Sequence, residues 1–271
     1  MLSKYWLWLL LLAAPVLATP QRLITLTPHL TELVYAIGAG DRLVATDDWS
    51  DYPPEVKRLP KVANFRSINS EALLAQRPDL ILAWRSVQSS MLSSVTVLGV
   101  PVFYSDPTRF ESLADEMRAL GKQLDVETQA NQAADAFLAR LASLRQRYGH
   151  HAGPKVRVFY QLWYPPLTSA SGVAWAAQAI ELCGGENIMA NSSAPYPQVG
   201  MEEVLARNPQ LILAGTHHSE ELDHWRKWPN LDAVKQHHLV LINPDELHRF
   251  TPRALNAVEA ICKAIDAVRH R

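Results

Sequence analysis

The chain has 271 residues, with 26 lysines and arginines against 27 aspartates and glutamates, and a formal net charge of −1. A chain this close to neutral lacks the basic surface that would bind nucleic acid or an anionic membrane. Its length allows one large domain or two smaller ones.

The first 18 residues, "MLSKYWLWLLLLAAPVLA", have the layout of a secretory signal peptide, with one lysine, an unbroken apolar run and then small residues. A transmembrane anchor is the alternative, but the apolar run is shorter than the ~20 residues that a spanning helix needs. We therefore expect cleavage after Ala18 and export of the remaining chain.

The N-terminal half alternates strands with helices. "QRLITLTP" is a β-branched run that predicts a buried strand, and "HLTELVYAIGAG" has apolar residues at helical spacing before two glycines. "RLVAT", "LILAW" and "VPVFYSD" predict three further strands, and the helix "SEALLAQR" precedes the second of these. Strands that alternate with helices predict a mainly parallel sheet covered by helices.

A change of composition follows from about Val126 to Arg147. "ETQANQAADAFLARLASLRQRY" has no proline or glycine, is rich in Ala, Leu, Gln and Arg, and keeps an apolar stripe. These features predict one long helix of roughly 33 Å. After "GHHAGP" the alternation of strands and helices restarts with "KVRVFYQLW".

The second half repeats the first. "SEALLAQRPDLILA" (70–83) returns as "MEEVLARNPQLILA" (201–214), and "AIGAGDRLVA" (36–45) is matched by "ELCGGENIMA" (181–190). Two matched pairs in the same order predict an α/β protein with two similar βα lobes, mainly parallel sheets and one long connecting helix. The expected units are a signal peptide (1–18), an N-terminal lobe (19–124), the linking helix (125–149) and a C-terminal lobe (150–271).

Catalytic motifs are not evident in the sequence. It contains no glycine-rich phosphate loop, no G-x-S-x-G elbow and no zinc-protease helix pattern. Adjacent histidine pairs at 150–151, 217–218 and 237–238 lack the i, i+4 spacing of helical ligands, so no metal site is expected. In "HLTE", His29 and Glu32 lie one helical turn apart, where a capping or surface role is expected.

The two cysteines, Cys183 and Cys262, are expected to form a disulfide, because an even pair in an exported protein usually pairs. A pair of free buried thiols is the alternative.

Aromatic residues are concentrated at or just beyond the ends of predicted strands and in the loops that lead to the repeated helices. They are Trp49, Phe65, Trp84, Trp163, Tyr164 and Tyr196. In open α/β sheets, ligands bind outside the carboxyl ends of the strands. Aromatics in equivalent loops of both lobes therefore predict an apolar cleft suited to a large, partly flat ligand. Packing of each ring on its own lobe is the alternative.

The two glutamates of the repeat, Glu71 and Glu202, share one register, since 202 − 71 = 131. A carboxylate in the first turn of a helix is favoured by the helix dipole by ~0.3–1 kcal/mol, which would alone explain each residue. As a pair, one on each lobe, they could also dock basic pockets of a two-fold symmetric partner.

Taken together, "WSDYPP", "RPDLILAWR", the long helix and "CGGENI…PYPQV…VLARNPQLIL" resemble the periplasmic binding proteins of cobalamin ABC importers over the whole chain after the signal peptide. The bilobal plan is shared with siderophore and haem carriers. The resemblance implies a periplasmic monomer that binds a transported ligand, with no cofactor and no enzymatic activity.

The resemblance also implies site residues. Those implied to contact the ligand are Trp49, Phe65, Trp84, Tyr196, Asp245, Glu246, Leu247, His248 and Arg249, although the centre of "DELHR" departs from the family's aromatic pattern. Trp163, Tyr164 and Leu167 are not assigned, because "WYPPLTS" is one residue shorter than the matching family segment. Glu71 and Glu202 are implied to engage arginines of the two permease subunits, and Cys183 and Cys262 match the family disulfide.

The function expected from the resemblance is capture of cobalamin between the lobes and delivery to an inner-membrane ABC transporter. The alternatives are a haem or ferric siderophore carrier of the same fold, a zinc or manganese receptor that uses the histidines, and a cleft hydrolase. Haem would call for an axial Tyr or His, for which Tyr164, Tyr196 and His248 are candidates.

Overall fold

The N-terminal lobe is built on a five-stranded sheet. The computed structural model describes residues 19–96, 99–150 and 153–270, so the expected signal peptide lies outside the described residues. The strands are β1 (Leu23–Thr25), β2 (Leu43–Asp47), β3 (Lys61–Ala63), β4 (Leu80–Trp84) and β5 (Val102–Ser105). They are ordered β3-β2-β1-β4-β5, and every neighbouring pair is parallel, as the sequence predicts.

Helices follow or cover these strands. They are α1 (Pro28–Ala36), α2 (Ser70–Ala75), α3 (Arg85–Gln88), α4 (Ser93–Thr96) and α5 (Phe110–Gln123), with short 3-10 turns at Gly40–Arg42 and Pro54–Arg58. The side chain of Asn69 caps α2 by accepting a hydrogen bond from the Ala72 amide at 3.0 Å. The predicted helix of the repeat therefore begins at Ser70, and Glu71 lies in its first turn.

The long helix α6 (Glu127–Tyr148) has 22 residues, which agrees with the predicted span to within one residue. One side packs against α5, where a β-carbon at Gly121 would overlap the β-carbon of Ala130. The other side contacts the C-terminal lobe, since Arg140 donates hydrogen bonds to Asn256 at 2.7 Å and Glu259 at 3.2 Å. The helix is therefore held by both lobes along its length.

The C-terminal lobe repeats the plan on a four-stranded sheet. Its elements are β6 (Val156–Gln161), α7 (Trp175–Leu182), β7 (Gly185–Asn187), α8 (Met201–Arg207), β8 (Leu211–Gly215), α9 (Asp232–Lys235), β9 (Leu239–Ile242), α10 (Pro244–Leu247) and α11 (Ala254–Arg269), with a 3-10 segment at Ser219–Lys227. The order β7-β6-β8-β9 is again parallel throughout. The sequence repeat corresponds to α2–β4 in one lobe and α8–β8 in the other.

A disulfide joins Cys183, which follows α7, to Cys262 in α11, with the two Cα atoms 4.7 Å apart. This confirms the predicted pairing. Both cysteines are fully buried in the apolar core, so the bond fixes α11 to the α7 layer from inside. Within the described ranges, every helix is too short or too polar to cross a bilayer.

Candidate ligand-binding cleft

The carboxyl ends of strands from both lobes border a cleft between them. A cavity of about 240 Å³ lies on the N-terminal side, beyond the ends of β1, β2 and β4. Among its lining residues are Trp49, Phe65, Trp84, His248 and Arg249. Five of the nine residues predicted to contact the ligand, three from one lobe and two from the other, therefore lie around one space.

A second cavity of about 360 Å³ continues on the C-terminal side. It shares Trp84 and His248 with the first cavity and adds Tyr196 and Leu247 from the predicted set. A larger cavity of about 670 Å³ lies elsewhere, between the start of α5 and the ends of α6 and α7. That larger cavity includes none of the predicted site residues and no strand end, so we take the two central cavities as the candidate site.

The aromatic walls remain open to solvent. Trp49 is 62% exposed, Phe65 61% and Tyr196 55%. Large aromatic side chains usually bury most of their area, so rings left this open around a cavity provide surface that a ligand can cover. Trp84 is held differently, since its indole N–H donates to Asp106 at 3.1 Å and fixes the ring plane.

Phe250 lies between the two cavities and lines both of them. Its ring meets Trp175 of its own lobe with centroids 4.7 Å apart, and meets Trp84 and His29 of the other lobe at 5.7 and 5.8 Å, all edge to face. Such pairs are favourable arrangements of aromatic rings. Phe250 therefore forms a contact between the lobes at the floor of the cleft, and it was not among the predicted residues.

His29 and Glu32 correct an expectation, because both side chains are buried and neither has a capping or surface role. The His29 ring is buried in the wall of the first cavity. Nδ1 lies 3.0 Å from the Thr27 hydroxyl and Nε2 lies 3.3 Å from the Ser105 hydroxyl. Burial lowers the pKa of His29 to about 3, so the ring is neutral at pH 7. Each of its two nitrogens has a hydroxyl partner.

A cluster of ionic groups joins the lobes beside the first cavity. Arg249 donates to Glu32 at 2.9 Å and to Asp51 at 2.7 Å across the cleft, and to Asp245 at 2.9 Å on its own lobe. Arg253 donates to the same Glu32 oxygen at 3.0 Å. Burial raises the pKa of Glu32, and the hydrogen bonds and charges of the two arginines oppose this. Arg249 thus enters the cavity wall with its charge already matched by three carboxylates.

Two predicted contact residues have other partners in this structure. Asp245 bridges Arg249 and His217, the latter at 2.9 Å, and Glu246 accepts from Asn256 at 3.0 Å. Neither is part of the wall of the two cavities. The two acidic residues of "DELHR", Asp245 and Glu246, are therefore hydrogen-bonded within their own lobe, while Leu247 and His248 line the cleft.

The segment 163–167, to which no role was assigned, packs against its own C-terminal lobe and not into the cleft. Tyr164 stacks on His224 with centroids 3.9 Å apart, and Leu167 is buried in the core below it. Trp163 is exposed, and its indole N–H donates to the Pro165 carbonyl at 3.0 Å. None of the three lines the two cavities, so for Tyr164 the alternative holds, and the ring packs on its own lobe instead of bordering the cleft.

Glu71 and Glu202 occupy equivalent exposed positions in the first turns of α2 and α8. The neighbouring Glu203 differs, since Arg207 donates to it at 2.7 Å within the helix.

In the part of the chain that the structure describes, no three His, Cys, Asp or Glu side chains converge on a point where they could hold a metal ion.

The fold and the cleft together define a two-lobed substrate-binding protein. The chain belongs to the periplasmic binding protein family, whose model matches residues 23–246. The expected location in the periplasm agrees with this family.

Among its relatives is a vitamin B12-binding protein of Vibrio parahaemolyticus, 36% identical over 253 residues, or 93% of this chain and 91% of that protein. Another, from Vibrio cholerae, is 39% identical over 254 residues, with the same coverage of both chains.

Solved structures show the same architecture. The periplasmic vitamin B12 binding protein BtuF of Vibrio cholerae superimposes with a TM-score of 0.86 at 37% identity, covering 93% of this chain and 99% of that one. The periplasmic heme binding protein HutB of Vibrio cholerae also matches, with a TM-score of 0.79 at 19% identity over 90% and 98% of the two chains. At that identity the second likeness shows the fold alone. Proteins of this architecture therefore bind different ligands, and the ligand has to be inferred from the residues that line the cleft.

Proposed function

We propose that this protein captures cobalamin in the cleft between its lobes and delivers it to an ABC importer of the inner membrane. The observation that carries the proposal is a cleft with open aromatic walls and an arginine whose charge is already matched. The relatives named as vitamin B12-binding proteins, at 36% and 39% identity over most of the chain, support the same ligand.

The aromatic walls fit a broad, flat ligand. Trp49 and Phe65 face the first cavity, Tyr196 faces the second, and Trp84 borders both. A corrin ring presents flat apolar area to such side chains. Each Å² of apolar surface that the ligand covers would contribute roughly 25 cal/mol to the free energy of binding. We propose these four residues as the main contacts, with Leu247, His248 and Arg249 contributing from the C-terminal lobe.

The charges favour a ligand whose periphery is neutral. Arg249 is the only lysine or arginine among the described residues that line the two cavities, and it is bonded to three carboxylates. Most side chains at the edge of a corrin ring are uncharged amides. Haem instead carries two carboxylates, and ferric siderophores would call for a basic wall. We therefore place the haem and siderophore alternatives below cobalamin.

Tryptophan fluorescence tests the ligand directly, because Trp49 and Trp84 lie in the cavity walls. Cyanocobalamin should quench the emission in a saturable way at one equivalent. The matched control is Trp228, which is exposed on the C-terminal lobe outside the two cavities. A Trp228→Phe variant should keep the quenching amplitude, and Trp84→Phe should lose part of it. Quenching that does not saturate would contradict the proposal.

Glu71 and Glu202 are proposed as the groups that dock the two permease subunits. They are exposed, lie one on each lobe in equivalent helix turns, and have no ion-pair partner among the described residues. Charge pairs at an interface fix orientation and raise the association rate.

The docking proposal is tested with the double variant Glu71→Ala/Glu202→Ala. It should abolish transporter-dependent cobalamin uptake while leaving cobalamin affinity unchanged. Glu203→Ala is the matched control, since its carboxylate is already bonded to Arg207. Unchanged uptake by the double variant would refute the docking role.

The role proposed is carriage of the ligand without chemistry. Binding is the activity for which the family is named, and the cleft groups described above are held in neutral or matched states. We also propose that the two lobes, 19–124 and 150–271, close only slightly on the ligand because the helix between them is packed on both.

A further inference from the structure

Tyr160 and His248 form a hydrogen-bonded pair behind the wall of the cleft. Tyr160 lies on β6 and is fully buried, and its hydroxyl oxygen lies 2.5 Å from Nε2 of His248. His248 follows α10 and is one of the residues that line both cavities. The pair therefore connects the core of the C-terminal lobe to the ligand space.

The backbone leaves room for this pair at Gly215, the last residue of β8. A β-carbon there would overlap the Tyr160 hydroxyl and come within 2.8 Å of His248 Nε2. Any side chain at position 215 would separate the two groups. The sheet thus accommodates the pair by a glycine where neighbouring positions of β8 carry alanine and leucine.

The environment of Tyr160 determines which group donates. The hydroxyl is sealed from solvent, and among the described residues its hydrogen-bond partner is His248 Nε2. Burial raises the pKa of Tyr160, so the phenol keeps its proton and has one place to donate it. Desolvation of the ring also lowers the pKa of His248, even though the residue is exposed to the cleft, and this favours a neutral imidazole whose Nε2 can accept. In a neutral imidazole one nitrogen accepts and the other carries the proton.

We propose that Tyr160 fixes His248 as the tautomer protonated on Nδ1, and that this N–H is a hydrogen-bond donor to an amide carbonyl of the bound ligand. The proposal rests on the proposed function and specifies how the cleft recognises a chemical group of its ligand. A nitrogen that bears a proton has no lone pair for a metal, so His248 in this state is not an axial ligand. The pair thereby favours an amide-bearing ring over a ring that is held through its metal.

The tautomer can be measured on the ligand-free protein with ¹⁵N-labelled histidine and long-range ¹H–¹⁵N NMR spectroscopy. The His248 signals are identified by their loss in His248→Gln. We expect a neutral ring with the proton on Nδ1 at pH 7. In Tyr160→Phe, which removes only the hydroxyl, this preference should weaken. A proton on Nε2 in the unmodified protein, or a doubly protonated ring, would overturn the proposal.

The contribution to binding is tested by calorimetry with cyanocobalamin. His248→Leu removes the donor and should weaken affinity about tenfold, which corresponds to about 1.4 kcal/mol. His248→Gln keeps an N–H donor and should stay within about threefold of the unmodified protein. Urea unfolding first establishes that each variant is fully folded under the titration conditions, because loss of the acceptor for the buried Tyr160 hydroxyl is expected to lower the midpoint. Gly215→Ala, which displaces the pair from the other side, should resemble His248→Leu.

The outcomes separate the two levels of the proposal. If the unmodified protein does not bind cyanocobalamin, the proposed function fails. If it binds and His248→Leu binds equally well, the function stands and the role of His248 is refuted. Haemin gives a further test, since the Soret spectrum should show no histidine ligation in the unmodified protein. Histidine ligation that is lost in His248→Leu would also overturn the proposal.

Discussion

Replacing Trp49 by alanine should weaken cobalamin binding with little effect on stability. The indole is 62% exposed in the ligand-free cleft. For a side chain of up to about 250 Å², this leaves about 150 Å² for a ligand to cover. At about 25 cal/mol per Å² the upper limit of the loss is about 4 kcal/mol.

A ring that stacks on one face loses about half of that area, so we expect a loss of about 2 kcal/mol, or about 30-fold in Kd. The assay is calorimetric titration with cyanocobalamin, together with urea unfolding of the same samples. Trp228→Ala is the control, because that indole is 40% exposed but lies outside the two cavities. An unchanged Kd for Trp49→Ala, or an equal loss in Trp228→Ala, would refute the placement of the ligand.

Three further results are expected. The pKa of His29 is about 3 in the folded protein against an ordinary 6.5, so protonation of this histidine below pH 6.5 favours the unfolded chain. Relative to His29→Gln, the free energy of unfolding measured in urea should therefore fall by about 2 kcal/mol between pH 7 and pH 5. Parallel pH curves for the two proteins would contradict this. Removing the disulfide as Cys183→Ala/Cys262→Ala opens a loop with a sequence separation of 79 and should cost up to about 4.5 kcal/mol in urea unfolding; a loss below about 1 kcal/mol would argue against the chain-entropy account. Small-angle scattering should show only a slight closure on ligand binding, and a change as large as in flexible-hinge binding proteins would contradict the bracing by α6.

Much of the fold could be predicted because it depends on local patterns. The α6 helix follows from a run without proline or glycine, and the parallel strands follow from their alternation with helices. The repeat predicted two similar lobes because each copy encodes one helix and the buried strand after it, α2–β4 and α8–β8.

The cleft could be predicted in part. Trp49, Phe65 and Trp84 lie at strand ends, and parallel strands bring such ends to one edge of a sheet. The same signal does not show which way a ring turns, and Tyr164 packs against His224 on its own lobe. For this reason position along a strand identified the region but not every member of the site.

The remaining features depend on contacts between distant segments. Phe250 meets His29 and Trp84 only after the lobes come together, and Tyr160 reaches His248 across 88 positions of sequence. Two features of the sequence mark positions at these long-range contacts. His29 directly follows the first predicted strand, and Gly215 ends "LILAG" where the first copy of the repeat has "LILAW". Neither signal by itself names the partner.

The central claim is tested most directly by calorimetric titration of the mature, tag-free protein with cyanocobalamin, with haemin and zinc as parallel ligands. The cleft described above predicts tight one-to-one binding of cyanocobalamin alone. Saturation by haemin or zinc, with no heat from cyanocobalamin, would contradict it and assign the protein to a different importer.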